Sequence, residues 1–469
     1  MRPSSFMRQN DAFTWYMESD PELRSTVVAI AWLQSAPAWA DLVRRMERAT
    51  RQVPSFRQRL VEVPGHLSTP RWTTDEHFDV AWHLRRAAVP APHGRDQVLE
   101  LAALAAMSGF DRTRPLWEFT LVEGLDGGGA AVVMKMHHSL TDGIGGVQLA
   151  VALFDFDTEA VAGHRSGDPL PAAPPGEPSG GHRLVLEALG DRATRLRDGV
   201  LDAVRRAPAA GVRLVRHPLC AGADVVETAR SIGRTVRPLS STLSPVMTQR
   251  GPGRVLHTIT VGLDELKQAG AASGGTLNDS FMASVTGGLR RYHEHHGATA
   301  EELTVTLPIS IRQPGDAPGG NRITLQRLRV PLSVTDPIHR MRAIGASCRA
   351  ARAERSLVFT DAIAGALNLV PTAFVGAMLK HVDFLASDVT GFPEPIFLCG
   401  APVTDYSAFG PTIGAALNAT LFSYAGTCCI GLTVDTTAVP DHELLVECLA
   451  EGFAEVIATA HPDKAVVAC

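Results

Sequence analysis

Lysine is nearly missing from this 469-residue chain. Lys135, Lys267, Lys380 and Lys464 are the only four, so 40 of the 44 basic residues are arginine. No lysine follows a glycine, which excludes the phosphate-cradling GxxxxGK[ST] loop. No serine stands three positions before a lysine, which excludes acyl-enzyme chemistry of the SxxK kind. The seven cysteines form no CxxC pair, and there is neither an HExxH nor a GxSxG element. A zinc site, a disulfide frame and a serine-nucleophile elbow are therefore not expected, and the thiols read as reduced and mostly buried. The apolar run from Val27 to Leu33 falls far short of the ~20 residues that cross a bilayer. The polar start, Met1 to Phe13, does not read as a secretion signal, so the expected location is the cytoplasm.

What is present describes a globular protein, with 45% hydrophobic and 20% charged residues. The formal charge is −5, from 44 basic and 49 acidic residues, so a nucleic-acid partner is not expected. The length suits two or three domains. Residues 158–182 carry five prolines and five glycines with few bulky apolar side chains, and read as an exposed linker. Residues 183–237 read as helical, because Val185, Leu189, Ala193, Leu196, Val200 and Val204 recur at helical spacing. This stretch holds 11 Arg against 6 Asp and Glu. A helical brace with a solvated basic face is favoured over a membrane-surface helix, since Asp191, Asp198 and Asp202 dilute the positive face. The expected units are thus 1–157, a connection over 158–249, and 250–469.

The sharpest local signal is His137-His138-Ser139-Leu140-Thr141-Asp142-Gly143. It follows the β-branched run Ala130 to Met136, launched by the Asp126-Gly127-Gly128-Gly129 turn, and precedes an apolar helical segment from Ile144. Adjacent side chains at a strand end point to opposite faces, so one histidine can face a cleft while the other is structural. Asp142 suits a helix N-cap that fixes the loop, and Gly143 allows tight backbone packing. A third ligand at metal-binding spacing is missing, so no metal is expected. A histidine without a nucleophile can still deprotonate an acceptor hydroxyl when the electrophile, such as a thioester, is already activated. His293, His295 and His296, which end at Gly297, read instead as cations at a helix C-terminus.

HHxxxDG is the hallmark of acyl-CoA-dependent acyltransferases, and the flanking residues narrow the resemblance. Asn10-Asp11-Ala12-Phe13, Phe78-Asp79-Val80-Ala81-Trp82-His83-Leu84, Pro115-Leu116-Trp117 and Asn278-Asp279 occur in order. They are followed by Leu307-Pro308-Ile309-Ser310-Ile311-Arg312, Gly320-Asn321 and the stretch from Gly414 to Gly426. This set resembles the bacterial wax ester synthase/acyl-CoA:diacylglycerol acyltransferase family along nearly the whole chain.

The resemblance implies an α/β (α+β) fold. Two chloramphenicol-acetyltransferase-like domains with mixed sheets would be joined by a helical connection, with the active-site tunnel between them. It implies His138 as general base, with His137 and Asp142 in support. Acyl-CoA would be a co-substrate, with no cofactor, and a lipophilic alcohol or diacylglycerol the acceptor. Attachment to the inner membrane or to lipid inclusions is left open. Candidate substrate-binding positions are Gly143, Pro115, Leu116, Trp117, Asn278, Asp279, Ser387 and Asn418. Packing is favoured for Pro115 to Trp117 and helix capping for Asn278 and Asp279, while Ser387 and Asn418 are candidate oxyanion donors. The family's SNVPGP element reads Ser387-Asp388-Val389-Thr390-Gly391-Phe392-Pro393 here, and its PLN element is degraded to Thr242-Leu243-Ser244-Pro245. The altered residues replace amide donors with a carboxylate at Asp388 and remove a proline expected to tighten a turn. An acyltransferase for a smaller or specialised alcohol is the alternative, and a catalytically silent acyl-CoA-binding paralogue is the non-enzymatic one.

Overall fold

The computed structural model describes residues 6–140, 149–156, 169–176, 182–195, 197, 230–231, 233, 239–310, 323–354, 357 and 359–460. Its elements are α1 (Gln9–Met17), β1 (Thr26–Leu33), α2 (Trp39–Gln52), β2 (Gln58–Val61), β3 (Arg71–Thr74), β4 (Leu84–Ala88), α3 (Arg95–Met107), β5 (Trp117–Glu123) and β6 (Ala130–His137). After the connection come β7 (Arg254–Gly262), α4 (Leu263–Ala272), α5 (Leu277–His295), β8 (Glu302–Ser310), β9 (Ile323–Pro331) and α6 (Pro337–Arg352). The chain continues through α7 (Thr360–Leu367), α8 (Thr372–Leu379), β10 (Phe384–Phe392), β11 (Phe397–Leu398), β12 (Ala401–Phe409), β13 (Leu417–Tyr424), β14 (Thr427–Asp435) and α9 (His442–Ala458).

Two six-stranded mixed sheets carry the fold, ordered β11-β12-β1-β6-β5-β4 and β7-β14-β13-β10-β8-β9. The central strands β1 and β6 are covered on both faces, which is why they read as unbroken apolar runs rather than alternating ones. One face of the first sheet buries Ala29, Ala31, Val132, Met134 and Met136; the other buries Val28, Ile30 and Val133 against α3. The second sheet packs Leu417, Ala419 and Leu421 against α5 and α9, and turns its opposite face toward the first sheet.

Sheet membership does not follow chain order. Strands β11 and β12, late in the sequence, leave the second half and complete the first sheet, with β12 antiparallel to β1. This crossover runs over β14 at Gly431, where a Cβ would lie 2.0 Å from the Ala408 carbonyl oxygen, so only glycine fits. Phe409 of β12 and Leu256 of β7 then share a core with Val28 and Ile30, which joins the halves.

Three expectations are corrected. Residues 182–195 are helical, but the buried positions are Leu184 and Ala188, not Leu189 and Ala193. Arg71–Glu187, Ser68–Asp191 and Arg195 to the Met7 carbonyl set this rotation and tie the helix to the N-terminal half, as a brace would be. Most of 198–237 lies outside the described residues. Residues 387–392 form the end of strand β10 with a register shift between Val389 and Phe392, not a loosened turn. His293 is no surface cation: it is buried, bonded to Ser244 Oγ (2.8 Å) and the Leu289 carbonyl (2.7 Å), and burial lowers its pKa.

Candidate active site

The strand β6 delivers the histidine pair to a junction built by α1 and the start of β1. His137 lies opposite Thr26 of β1, and its N–H donates to the Leu116 carbonyl (3.0 Å). The next N–H, of His138, donates to the Ser25 carbonyl (2.9 Å). Both peptide units are therefore pinned before either ring is considered.

His137 is completely buried. Its Nδ1 accepts from the Ser139 N–H (3.1 Å) and lies 2.7 Å from the Ser139 hydroxyl. That assigns the ring proton to Nε2, which is 3.2 Å from Glu18 Oε1. Trp15 and Phe110 meet the ring edge-on, at centroid distances of 5.7 and 6.1 Å. Glu18, just past α1, is itself buried and accepts the Ser25 N–H (2.5 Å). Burial would raise its pKa, yet the His137 ring, the Ser25 amide and the nearby Arg24 together hold it below the ordinary glutamate value. Glu18 thus lies against the His137 ring and holds the Ser25 amide, and the Ser25 carbonyl holds the His138 amide. Sequence reasoning missed Glu18 because it sits in no motif and meets the pair only through the fold.

His138 opens the short 3-10 turn His138–Leu140 and, unlike its neighbour, keeps part of its surface open. Burial, reinforced by the adjacent His137, pushes its pKa down to about 4, so the imidazole is neutral at physiological pH. Asp142 and Gly143 lie outside the described residues.

Pro115, Leu116 and Trp117 are buried beside this junction. Leu116 supplies the carbonyl that holds His137, and Trp117 donates from Nε1 to the Phe56 carbonyl (2.9 Å). His83 stacks on Trp117 at 4.4 Å, donates from Nδ1 to its carbonyl (2.8 Å), and is capped by Phe78 at 5.3 Å. Two of the sequence motifs thus interlock into a wall behind β6. Lys135 lies buried under Phe110, with Nζ bonded to Ser108 and Gly109, and burial lowers its pKa to about 8.

The remaining candidates sit in the second half. Asp279 closes a capping box at the start of α5, accepting the Thr276 N–H (2.9 Å) and hydroxyl (3.0 Å), while Asn278 Nδ2 lies 3.8 Å from Cys348 Sγ. Neither contacts the histidine pair among the described residues. Ser387 and Asn418 share the face of the second sheet that looks at the first, since Ser387 pairs with Thr420 and Asn418 is two residues away on β13. The Asn418 carboxamide is occupied, with Nδ2 donating to the Pro411 carbonyl (2.6 Å) and Oδ1 accepting from Thr420 (3.0 Å). Arg312, Gly320 and Asn321 lie outside the described residues. Among those described, no group of three His, Cys, Asp or Glu side chains is placed to hold a metal, and no helix is long and apolar enough to cross a membrane.

Comparison with known proteins adds three findings. Residues 7–281 match the family model of the wax ester synthase/diacylglycerol acyltransferase catalytic domain, and residues 319–456 that of the WS/DGAT C-terminal domain. A putative diacylglycerol O-acyltransferase of Mycobacterium tuberculosis is 33% identical over 446 residues, covering 94% of this chain and 90% of that one. Among solved structures, the wax ester synthase/diacylglycerol acyltransferase of Marinobacter aquaeolei VT8 has a TM-score of 0.64 at 19% identity, covering 97% of this chain and 99% of its own. The first condensation domain of the calcium-dependent antibiotic synthetase has a TM-score of 0.61 at 15% identity, covering 98% and 97%.

Proposed function

The chain belongs to the wax ester synthase/diacylglycerol acyltransferase family and is an acyl-CoA-dependent acyltransferase; we propose that it moves a fatty acyl group from acyl-CoA to the hydroxyl of diacylglycerol or a long-chain alcohol, with His138 as general base. The neutral His138 ring removes the hydroxyl proton as the oxygen attacks the thioester carbonyl. The tetrahedral oxyanion collapses, the C–S bond breaks, and the departing CoA thiolate takes the proton back from the imidazolium. Ester and free CoA are the products, and no acyl-enzyme forms. General-base assistance supplies roughly 10²–10⁴ in rate, and positioning supplies much of the rest.

The observation that carries this reading is the contrast within the pair. His137 has Nδ1 engaged by Ser139, its Nε2 lies 3.2 Å from Glu18 Oε1 without hydrogen-bond geometry, and the ring is sealed. His138 is held by its backbone while its ring stays partly open and neutral. Asp142, outside the described residues, keeps the supporting role that the resemblance implies, and Pro115 to Trp117 form the wall that fixes β6. The units proposed from the sequence, 1–157, 158–249 and 250–469, are kept with one qualification: 397–409 contributes to the first sheet.

For the lipid surface, the favoured contact is the segment spanning α7 and α8, both of which pack on α1. Residues 362–379 contain no charged side chain, and Leu369 and Phe374 are 82% and 58% exposed. Flotation with phosphatidylcholine vesicles checks this: wild-type protein should co-float independently of salt, and Leu369→Asp with Phe374→Asp should abolish it.

The function itself is tested by thiol release from palmitoyl-CoA with hexadecanol, diacylglycerol, a short polyol or no acceptor. Ester formation with the first two supports the reading. Turnover confined to the short polyol favours the specialised alternative, and no turnover with any acceptor overturns it.

A further inference from the structure

Of the three lysines among the described residues, only Lys135 is buried, at 2% exposure. It stands two residues before His137 on β6, so both side chains leave the strand on the same face. No carboxylate pairs with it among the described residues, since Glu118, its cross-strand neighbour on β5, is spent on Arg85 of β4. Its ammonium has three N–H donors and meets three acceptors. Two are the Ser108 hydroxyl (2.8 Å) and the Gly109 carbonyl (2.9 Å), where α3 ends. Ser108 gives its own proton to the Ala105 carbonyl, which leaves its oxygen to accept from Lys135. The third acceptor is the face of Phe110, whose centroid lies 4.2 Å from Nζ. A guanidinium here would bring five donors into the same space and leave some unmet. That accounts for a lysine in a chain whose basic residues are otherwise nearly all arginine. Phe110 also meets the His137 ring edge-on at 6.1 Å, and Trp15 meets it at 5.7 Å with Arg112 over its own face. The imidazole thus stands between two aromatic rings, each carrying a cation.

Resting on the reading of His138 as general base, we infer that Lys135 is a positioning residue for the transfer: its ammonium holds Phe110 against the His137 ring, and through that ring fixes the turn that carries His138. The path is short. His137 Nδ1 accepts the Ser139 N–H (3.1 Å), so a tilt of its ring moves the turn His138–Leu140. The charge is what matters, because a cation is drawn to the face of a ring and to the carbonyls at a helix C-terminus, and a neutral side chain is not.

The hold therefore depends on pH. The charged groups around Lys135 are Glu118 on β5, Arg85 on β4, and Glu18 and Arg24 between α1 and β1, with His137 on its own strand. Burial lowers its pKa to about 8, with Arg85 and Arg24 acting in the same direction and Glu118 and Glu18 against it. Above that pH the amine is neutral, and Phe110 loses its cation. An unfolded lysine titrates near about 10.4, so across this interval the unfolded chain binds more protons than the folded one. Stability therefore does not fall as Lys135 loses its proton. Activity should fall while the fold holds.

Wild type and Lys135→Met, which keeps much of the shape without the charge, are compared from neutrality to about pH 10. Wild-type kcat should fall about tenfold with a midpoint of about 8, at constant KM for palmitoyl-CoA and without a matching fall in melting temperature. Lys135→Met should show the lowered kcat already at neutrality and no alkaline step. A step with the same midpoint in Lys135→Met would overturn the assignment, as would a wild-type kcat that stays level throughout. Isotope-labelled lysine reads the same residue without turnover, because the chain gives only four signals. One should titrate at about 8 and vanish in Lys135→Met. The His137 ring signal, identified by its loss in His137→Gln, should shift with the same midpoint. A His137 signal that ignores that titration would overturn the coupling. A wild-type enzyme inactive toward every acceptor would instead strike the functional reading, and the two signals would still report on Lys135.

Discussion

His137-His138 at the end of β6 and Asn278-Asp279 at the start of α5 are both polar dipeptides where a regular element meets a turn, yet the fold uses them differently. Asp279 spends its carboxylate on Thr276, in a capping box closed within four residues. Asn278 faces a buried thiol on α6. At the histidine pair, one ring is spent on structure and the other is kept partly open, with its charge suppressed by burial. In this pair one ring is sealed and the other keeps part of its surface accessible. A motif whose capacity closes on its own turn is a cap.

Breaking this contrast should give unequal effects. The largest is expected for His138→Ala, which should lower kcat by roughly 10²–10⁴ while circular dichroism and melting temperature stay near wild type. Next comes Glu18, a positioning residue acting through His137 and Ser25. Glu18→Ala should lower kcat about 10²-fold by displacing the base, with little change in acyl-CoA KM. Glu18→Gln keeps an acceptor for the Ser25 amide and should recover most of the loss; failure of that recovery would make the carboxylate charge, not its geometry, the operative feature. The smallest effect is expected for Asp279→Ala, which should cost about 1 kcal/mol in chemical denaturation and leave kcat within about twofold of wild type. A large kcat loss there would erase the distinction between the two motifs.

Much of this was legible in the sequence. Alternation at a strand end already required that only one histidine face a cleft, and the apolar run over 130–136 placed β6 correctly. The capping expected of Asn278 and Asp279 is carried by Asp279, with Thr276 as the N-cap and Asn278 already inside the helix. Local patterns carried these because the interactions are local. Glu18 and the Ser25 carbonyl were not legible, since each meets the histidine pair only through the packing of α1 and β1 against β6. The crossing of β12 into the first sheet was invisible for the same reason, although Gly431 marks it. The brace at 182–195 was placed on the wrong stripe because its ion pair with Arg71 and its hydrogen bonds with Ser68 and the Met7 carbonyl fix its rotation, not apolar periodicity. His293 misled because a histidine in a last helical turn looks like a dipole partner until Ser244 covers it.

The central claim is that a neutral, partly enclosed His138 takes the hydroxyl proton, and the pH dependence of kcat/KM tests it most directly. The base must be unprotonated, and its pKa lies below the ordinary histidine value because burial and His137 disfavour the imidazolium. Activity should therefore hold steady from neutrality through pH 6 and fall only as the pH approaches about 4, with circular dichroism confirming the fold over the same range. An acid limb centred near the free-histidine value of about 6.5, in protein that stays folded, would contradict the account.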